Sequence, residues 1–164
     1  MVVSAPTSSG KTVIFELSII KHSEREQKIK CLYLAPIKSL CHEKVNSWAK
    51  KFGKKLKIHE LTGDTTLEEE EDLNEVDVAV ATPEKIDAYS RKNMEYLRKV
   101  NLLLIDEVHM LNFEERGATL EAVVSRLMSI SNPRIIALSA TIPNIKEVAE
   151  WLKVPPEFIC VFGA

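Results

Sequence analysis

The sequence predicts an α/β fold, in which a mostly parallel β-sheet carries helices on both faces, a three-layer α/β/α arrangement. Short apolar segments alternate along the chain with longer amphipathic segments, which is the pattern of strands alternating with helices. Several apolar segments, such as residues 102–105, contain no polar residue, as expected of strands covered on both sides. The 164 residues are enough for one domain, and no internal repeat or low-complexity linker interrupts the alternation.

Each element is justified by its own local pattern. Short apolar runs predict strands at 2–5, 31–34, 57–61, 78–81, 102–105, 135–139 and, most weakly, 158–161. Apolar residues at helical spacing predict helices at 11–22, 39–52, 66–74, 84–92, 118–131 and 145–152. The third helix has an additional signal, because Thr66 and Glu69 have the spacing of a capping box. Pro155-Pro156, near the C-terminus, is the single pattern that is typical of a domain boundary.

Composition excludes several classes of protein. Hydrophobic residues make up 45% of the chain and charged residues 28%, which favours a packed globule over a disordered tail. The apolar runs are too short to span a bilayer, and no signal peptide is expected after Met1. Cys31, Cys41 and Cys160 lack a C-x-x-C spacing, so we expect neither a zinc site nor a disulfide framework, and we expect an intracellular, reducing compartment.

Charge is distributed unevenly, although the net charge is only −2. Residues 1–60 contain 12 Lys and Arg against 5 Asp and Glu, whereas residues 61–164 contain 10 against 19. A positive block suits a polyanionic partner. The lysines around Lys50, Lys51, Lys54 and Lys55 are equally typical of a solvated helix face, and acidic residues 68–72 of a solvated first helical turn. Charge alone therefore does not choose between these interpretations.

A candidate phosphate-binding loop follows the first predicted strand. Its residues fit the pattern G-x-x-x-x-G-K-[ST], except that alanine replaces the first glycine: Ala5-Pro6-Thr7-Ser8-Ser9-Gly10-Lys11-Thr12. In such a loop, backbone N–H groups and a helix N-terminus face the phosphates, while Lys11 supplies positive charge and the Thr12 hydroxyl can bind Mg²⁺. The alternative is an ordinary helix-capping turn, which the flanking strand and helix patterns disfavour.

Two acidic residues, Asp106 and Glu107, follow the fifth predicted strand directly. A phosphate loop requires a carboxylate at a strand end to hold its metal ion, and Asp106 is placed for this role. Glu107 could orient and deprotonate a water molecule, which favours hydrolysis over transfer to a substrate hydroxyl. An Asp-Glu pair by itself is common at the start of a helix, so its specificity comes from the phosphate loop upstream.

Six motifs in this order cover nearly the whole chain and carry a family resemblance. They are 5–12, Ala35-Pro36-Ile37-Lys38-Ser39-Leu40, Thr62-Gly63-Asp64, Ala81-Thr82-Pro83-Glu84-Lys85, Asp106-Glu107-Val108-His109 and Ser139-Ala140-Thr141. The chain resembles the first RecA-like domain, a P-loop NTPase fold, of a superfamily 2 DExH-box helicase. Residues 113–117, 120–121 and 139–144 resemble the ski-like group. Within that group, residues 11–17 and 84–92 are most similar to the meiotic crossover DNA helicases.

The resemblance implies a role for each matching position. Lys11, Asp106 and Glu107 match catalytic residues, Thr12 and Asp106 match metal ligands, and the rest of 5–12 matches the ATP-binding loop. The positions that match ATP sensing and its coupling to movement are His109, Ser139, Ala140 and Thr141. The positions that match the grip on the backbone of one nucleic-acid strand are Pro36, Lys38, Gly63, Thr82, Pro83 and Glu84. Residues 82–83 are also a good helix start, and residues 63–64 are a good turn. A purely structural role for these residues therefore stays open.

The resemblance further implies that the ligands are ATP and Mg²⁺ and that the protein is located in the nucleus. The implied partner is single-stranded or partly duplex DNA, with RNA as the alternative. We expect residues 1–164 to form one RecA-like domain without the upstream adenine-clamping segment or the second RecA-like domain, and therefore to bind and hydrolyse ATP weakly. Two rival hypotheses remain. One is a phosphoryl-transfer kinase with the same loop, and the other is a non-catalytic helicase half that binds nucleic acid or protein.

Overall fold

The computed structural model describes residues 1–6, 9–63 and 72–163. Within these residues, seven strands form one sheet: β1 Val2–Ser4, β2 Cys31–Leu34, β3 Ile58–Leu61, β4 Val78–Ala81, β5 Leu102–Ile105, β6 Arg134–Ser139 and β7 Ile159–Val161. Their order across the sheet is β3-β4-β2-β5-β6-β1-β7, and every pair is parallel. Every residue of β1, β2, β4 and β5 is buried, which explains why these strands are largely apolar.

Helices cover both faces of the sheet. They are α1 Thr12–Arg25, α2 Lys38–Phe52, α3 Pro83–Lys92, α4 Glu95–Lys99, α5 Glu114–Ile130 and α6 Ile145–Trp151. Alternate strand residues point to opposite faces: Tyr33 and Leu104 pack with Phe15 of α1 and Trp48 of α2, whereas Leu103 packs on the other side with α3 to α6. The predicted three-layer α/β/α class is therefore confirmed. No helix in the described ranges is both long and apolar enough to cross a membrane.

Several predicted boundaries were wrong. The helix predicted at 118–131 in fact begins at Glu114. Its start was predicted too late because Gly117, which lowers helix propensity, lies within its first turn. The five-residue α4 was not predicted, since it is too short for a periodic pattern. Most of the helix predicted at 66–74, including Thr66 and Glu69, lies outside the described residues; its end overlaps a short 3₁₀ helix at Asp72–Glu75.

The register of the strands places their carboxyl ends at one edge of the sheet. Ser4 is level with Ser139, and Leu34 is level with both Ala81 and Ile105. The next residues continue this pairing, because the Ala5 N–H donates to the Ser139 carbonyl and the Asp106 N–H to the Leu34 carbonyl. Ligands of open α/β sheets bind at this edge, so its loops form the region in which a site is expected.

Candidate functional site

Residues from the phosphate loop, α2, β6 and the end of β5 line one depression at this edge. Its lining is Ser9, Gly10, Lys11, Thr12, Leu40, Lys44, Asp106, Glu107 and Leu138. The structure thus brings together the predicted loop and the predicted acidic pair, which are far apart in sequence. Thr7 and Ser8 lie outside the described residues. Pro6 is exposed and lies close to Gly163 rather than in the lining.

The phosphate loop is held to β6 by hydrogen bonds. Gly10 has a φ of +72°, a left-handed conformation that glycine adopts without steric cost. Lys11 Nζ donates to the carbonyl oxygens of Ala5 at 2.7 Å and Ser139 at 3.0 Å. Thr12 then begins α1, and it lines the same depression as Lys11. This arrangement concentrates positive charge where a phosphate would bind.

Asp106 is oriented by two hydrogen bonds. The backbone N–H of Glu107 donates to Asp106 Oδ1 at 2.9 Å, and the Tyr33 hydroxyl donates to Asp106 Oδ2 at 2.6 Å. Burial of the ring, followed by the negative charge of Asp106, raises the pKa of Tyr33 far above its ordinary range. The Tyr33 hydroxyl therefore remains a donor, and it holds the carboxylate in one orientation at the end of β5.

Glu107 has a strained backbone. Its φ of +51° lies in the left-handed region, which a glutamate rarely adopts. This conformation ends β5 and starts a 3₁₀ helix at Val108–Asn112. Backbone strain of this kind costs about 1–3 kcal/mol and is found most often at functional sites. Here it accompanies a half-exposed carboxylate on the wall of the depression.

His109 lies between Glu107 and the end of β6. Its Nδ1 is 3.2 Å from Glu107 Oε2 and also 3.2 Å from the backbone nitrogen of Ala140. A single ring nitrogen can accept a hydrogen bond from the Ala140 N–H or donate one to the carboxylate, but it cannot do both at once. His109 therefore links the acidic pair to the Ser139-Ala140-Thr141 segment through two mutually exclusive hydrogen bonds.

Thr12 and Asp106 fit a magnesium site in chemistry and position. Both line the same depression, and hydroxyl and carboxylate oxygens are ligands that Mg²⁺ accepts. In the part of the chain that the structure describes, no group of three or more His, Cys, Asp or Glu side chains could hold a metal ion. This is compatible with Mg²⁺, because that ion commonly binds through one or two protein oxygens together with substrate phosphates.

A second depression lies at the same edge of the sheet. Its lining is Pro36, Ile37, Lys38, Gly63, Thr82, Glu84, Lys85, Ala88 and Arg116, which includes five of the six residues expected to grip nucleic acid. The sixth, Pro83, lines a small depression between the two, together with Asp106 and Arg116. A Cβ at Gly63 would lie 3.2 Å from Lys38 Nζ, so the glycine permits this lysine to lie across the backbone.

Three residues at this edge were not predicted from the sequence: Lys44 and Arg116, which line depressions, and Tyr33, which donates to Asp106. Tyr33 lies within an apolar strand and Lys44 within an amphipathic helix, and neither belongs to a local motif. Arg116 follows two glutamates in a segment that contributed to the family resemblance. That resemblance did not indicate that Arg116 lines a depression. Each is recognised only by its neighbours in space.

Two known proteins are similar to this chain over nearly its whole length. The chain is 41% identical to the "ATP-dependent DNA helicase MER3 homolog" of Oryza sativa subsp. japonica, covering 99% of this chain and 16% of that protein. It is also 41% identical to the "Probable ATP-dependent DNA helicase HFM1" of Mus musculus, covering 92% of this chain and 12% of that protein. The chain thus spans less than a fifth of the length of these relatives.

A solved structure supports the fold. The crystal structure of the DUF1998 helicase MrfA bound to DNA superposes with a TM-score of 0.83 over 98% of this chain and 24% of that chain, at 22% identity. This likeness, together with the all-parallel sheet, confirms the predicted RecA-like fold. Residues 1–148 match the DEAD/DEAH box helicase family. The resemblance predicted from the six motifs is therefore confirmed, and the chain belongs to the DEAD/DEAH box helicase family.

Proposed function

We propose that this chain is the nucleotide-binding part of a DNA helicase motor, which hydrolyses Mg·ATP and couples hydrolysis to movement along one DNA strand. The observation that carries the proposal is the small depression that shares lining residues with each of the two larger ones. Asp106 lines the depression that contains Lys11 and Thr12, and it also lines the small depression that contains Arg116. Arg116 in turn lines the second, basic depression. A nucleotide and a nucleic-acid strand would therefore contact residues that are direct neighbours.

The residues of the first depression suit hydrolysis of a phosphoanhydride. Lys11 would bind the β- and γ-phosphates, and bound Mg²⁺, held by Thr12 and Asp106, would neutralise their charge. Glu107 would orient a water molecule and accept its proton as the water oxygen attacks the γ-phosphorus. The bond from the γ-phosphorus to the bridging oxygen would break, and ADP and inorganic phosphate would leave. No step of this reaction requires the hydroxyl group of a second substrate.

The second depression suits a phosphate backbone. Lys38, Lys85 and Arg116 supply positive charge, and α3 begins beside them at Pro83. Contacts of this kind bind a strand without reading its sequence and weaken as salt rises. The relatives are named as DNA helicases, which supports DNA over RNA as the partner and a nuclear location for the protein.

The end of β6 would relay between the two depressions. The Ser139 carbonyl accepts from Lys11, and the Ala140 N–H lies against His109, so this segment contacts both the phosphate loop and the histidine beside Glu107. A change in the γ-phosphate would alter these contacts and shift β6 and the loops beside it. We propose that a second RecA-like domain closes over the nucleotide during this cycle, as the family resemblance implies.

The decisive experiment compares the wild-type chain with Glu107→Gln. We expect single-turnover release of labelled γ-phosphate to fall by at least about a hundredfold, as general-base catalysis contributes that much. Binding of Mg·ATP, measured by calorimetry, should change little. Glu115→Gln, an exposed acid on α5, is the matched control. Turnover that survives Glu107→Gln would favour the kinase, and Mg·ATP binding without any release by the wild type would favour the non-catalytic module.

Nucleic-acid binding is tested separately with fluorescently labelled single strands of DNA and RNA of the same sequence. Arg116→Met should weaken binding of DNA by about tenfold, since a charged hydrogen bond to phosphate is lost. Arg98→Met, at an exposed position on α4, should leave it unchanged. Equal losses in both variants would show that binding follows overall charge, and tighter binding of RNA would contradict the proposed DNA partner.

A further inference from the structure

Lys44 is a buried lysine that the phosphate loop motif does not include. It lies on α2, and only 7% of the residue is exposed. Lysine is almost never buried to this extent unless its charge is paired. Its Nζ donates to Thr12 Oγ1 at 3.0 Å, and the Glu43 carboxylate lies 4.0 Å away and is itself largely exposed. Among the described residues, the Lys44 ammonium thus has a hydroxyl partner at hydrogen-bond distance but no carboxylate.

The ammonium of Lys44 faces the same depression as Lys11. Both residues line it together with Thr12, Asp106 and Glu107. Lys11 reaches the depression from the loop and contacts the carbonyl oxygens of Ala5 and Ser139, whereas Lys44 reaches it from α2 and contacts Thr12. The Glu43 carboxylate is largely exposed and lies at the outer limit of an ion pair, so solvent weakens its attraction for the buried ammonium, and a bound polyphosphate would bring negative charge into direct contact with Lys44.

We propose that Lys44 is a further nucleotide-binding residue, whose ammonium contacts the polyphosphate on the side where Thr12 binds the metal ion. This inference rests on the proposed function, because it requires the depression to be a phosphate site. Thr12 Oγ1 is both the acceptor for Lys44 and the proposed ligand of Mg²⁺, so the two cations would be neighbours and would repel each other. Lys44 should therefore contribute most to phosphate binding when no divalent cation is bound.

The test measures binding of inorganic tripolyphosphate by calorimetry, once in EDTA and once with Mg²⁺. Tripolyphosphate is the probe because it reports on the phosphate contacts without any contribution from adenine. In EDTA, we expect Lys44→Met to weaken binding by about tenfold, the effect of one charged hydrogen bond. With Mg²⁺, we expect a loss of no more than about threefold, because repulsion from the metal already offsets the contribution of the ammonium.

Three further variants make the result specific. Lys44→Arg keeps the charge and should retain binding in EDTA, and it provides a second test if Lys44→Met proves poorly folded by circular dichroism. Lys50→Met removes the same charge from the exposed last turn of α2 and should have no effect. Lys11→Ala should abolish binding under both conditions, which identifies the phosphate loop as the site.

Two results would overturn the inference while leaving the proposed function intact. One is that Lys44→Met binds tripolyphosphate as the wild type does in EDTA, so that the residue merely connects α2 to α1. The other is an equal loss in EDTA and in Mg²⁺, which would contradict a position beside the metal ion. If the wild-type chain bound neither tripolyphosphate nor Mg·ATP, the proposed function itself would fail.

Discussion

Replacing Tyr33 by phenylalanine removes a single hydroxyl group and leaves the packing of the ring unchanged. The ring lies edge-to-face against Phe15 and Trp48, with centroid distances of 5.5 and 5.1 Å, and these contacts do not involve the hydroxyl. What is lost is the 2.6 Å hydrogen bond to Asp106 Oδ2. The substitution therefore tests whether this bond orients the carboxylate that we expect to hold Mg²⁺.

The expected magnitude follows from the surroundings of Asp106. Hydrogen bonds to charged groups contribute about 1.5–3 kcal/mol. Asp106 keeps its bond from the Glu107 N–H, and it is partly exposed, so water can replace part of what is lost. We therefore expect the free energy of unfolding to fall by about 1.5 kcal/mol, at the lower end of that range. The half-saturating Mg²⁺ concentration for binding of a fluorescent nucleotide should rise by about tenfold, as for other residues that orient a metal ligand.

Tyr96→Phe is the matched control. Tyr96 is fully buried, and its hydroxyl has no hydrogen-bond partner in the described part of the chain. Removing that hydroxyl should leave the free energy of unfolding unchanged or raise it by up to about 1 kcal/mol, and it should not change the Mg²⁺ dependence. Urea unfolding and nucleotide titrations of both variants make the comparison. The same stability and the same Mg²⁺ dependence in both variants would show that the Tyr33 hydroxyl does not orient Asp106.

Two further predictions concern stability. Gly117→Ala should lower the free energy of unfolding in urea by about 2 kcal/mol, because a Cβ would lie 2.9 Å from the Leu111 carbonyl carbon and closer still to its oxygen. Ala118→Ser, at the exposed neighbouring position, should change it little, and similar effects at both positions would contradict the clash. Asp87→Asn should lower stability by about 1 kcal/mol at neutral pH, because the Arg91 hydrogen bond holds the pKa of Asp87 below its usual value of 3.8. The pKa of Asp87 is lower in the folded state than in the unfolded state. The difference in stability between wild type and variant should therefore be complete above about pH 5 and should shrink as pH falls through 3.8 and below. A difference in stability that does not vary with pH would contradict the ion pair.

Helix starts show why part of the fold escaped prediction. Gly117 lowers helix propensity, so the pattern placed the start of α5 after it, at residue 118. In the structure α5 begins at Glu114, since a residue without a Cβ can lie against the Leu111 carbonyl. The same absence of a side chain that weakens the helix locally allows its first turn to pack on the 3₁₀ helix that follows Glu107.

The candidate site was predictable to the extent that its residues occur in motifs. The phosphate loop was predicted from its residue pattern, and the Asp106-Glu107 pair from its position directly after an apolar strand. The structure places residues of both in one depression. Tyr33 and Lys44 were not predicted, because each depends on one contact made across the fold. Their roles in binding, like those of the motif residues, remain predictions for the experiments above.

Local patterns in the chain are enough to predict the class of fold and the chemistry available to the site. Apolar runs of strand length mark the buried strands, and loop motifs mark the residues that follow them, because both depend on neighbours in sequence. The strand order and the register, in contrast, are visible only in the folded molecule, where Ser4 is level with Ser139 and Leu34 is level with Ile105. The physical reason is that parallel strands are joined by crossovers, so the partner of each strand is chosen by packing between distant segments. The same packing decided that a tyrosine of β2 orients Asp106 and that a lysine of α2 contacts Thr12.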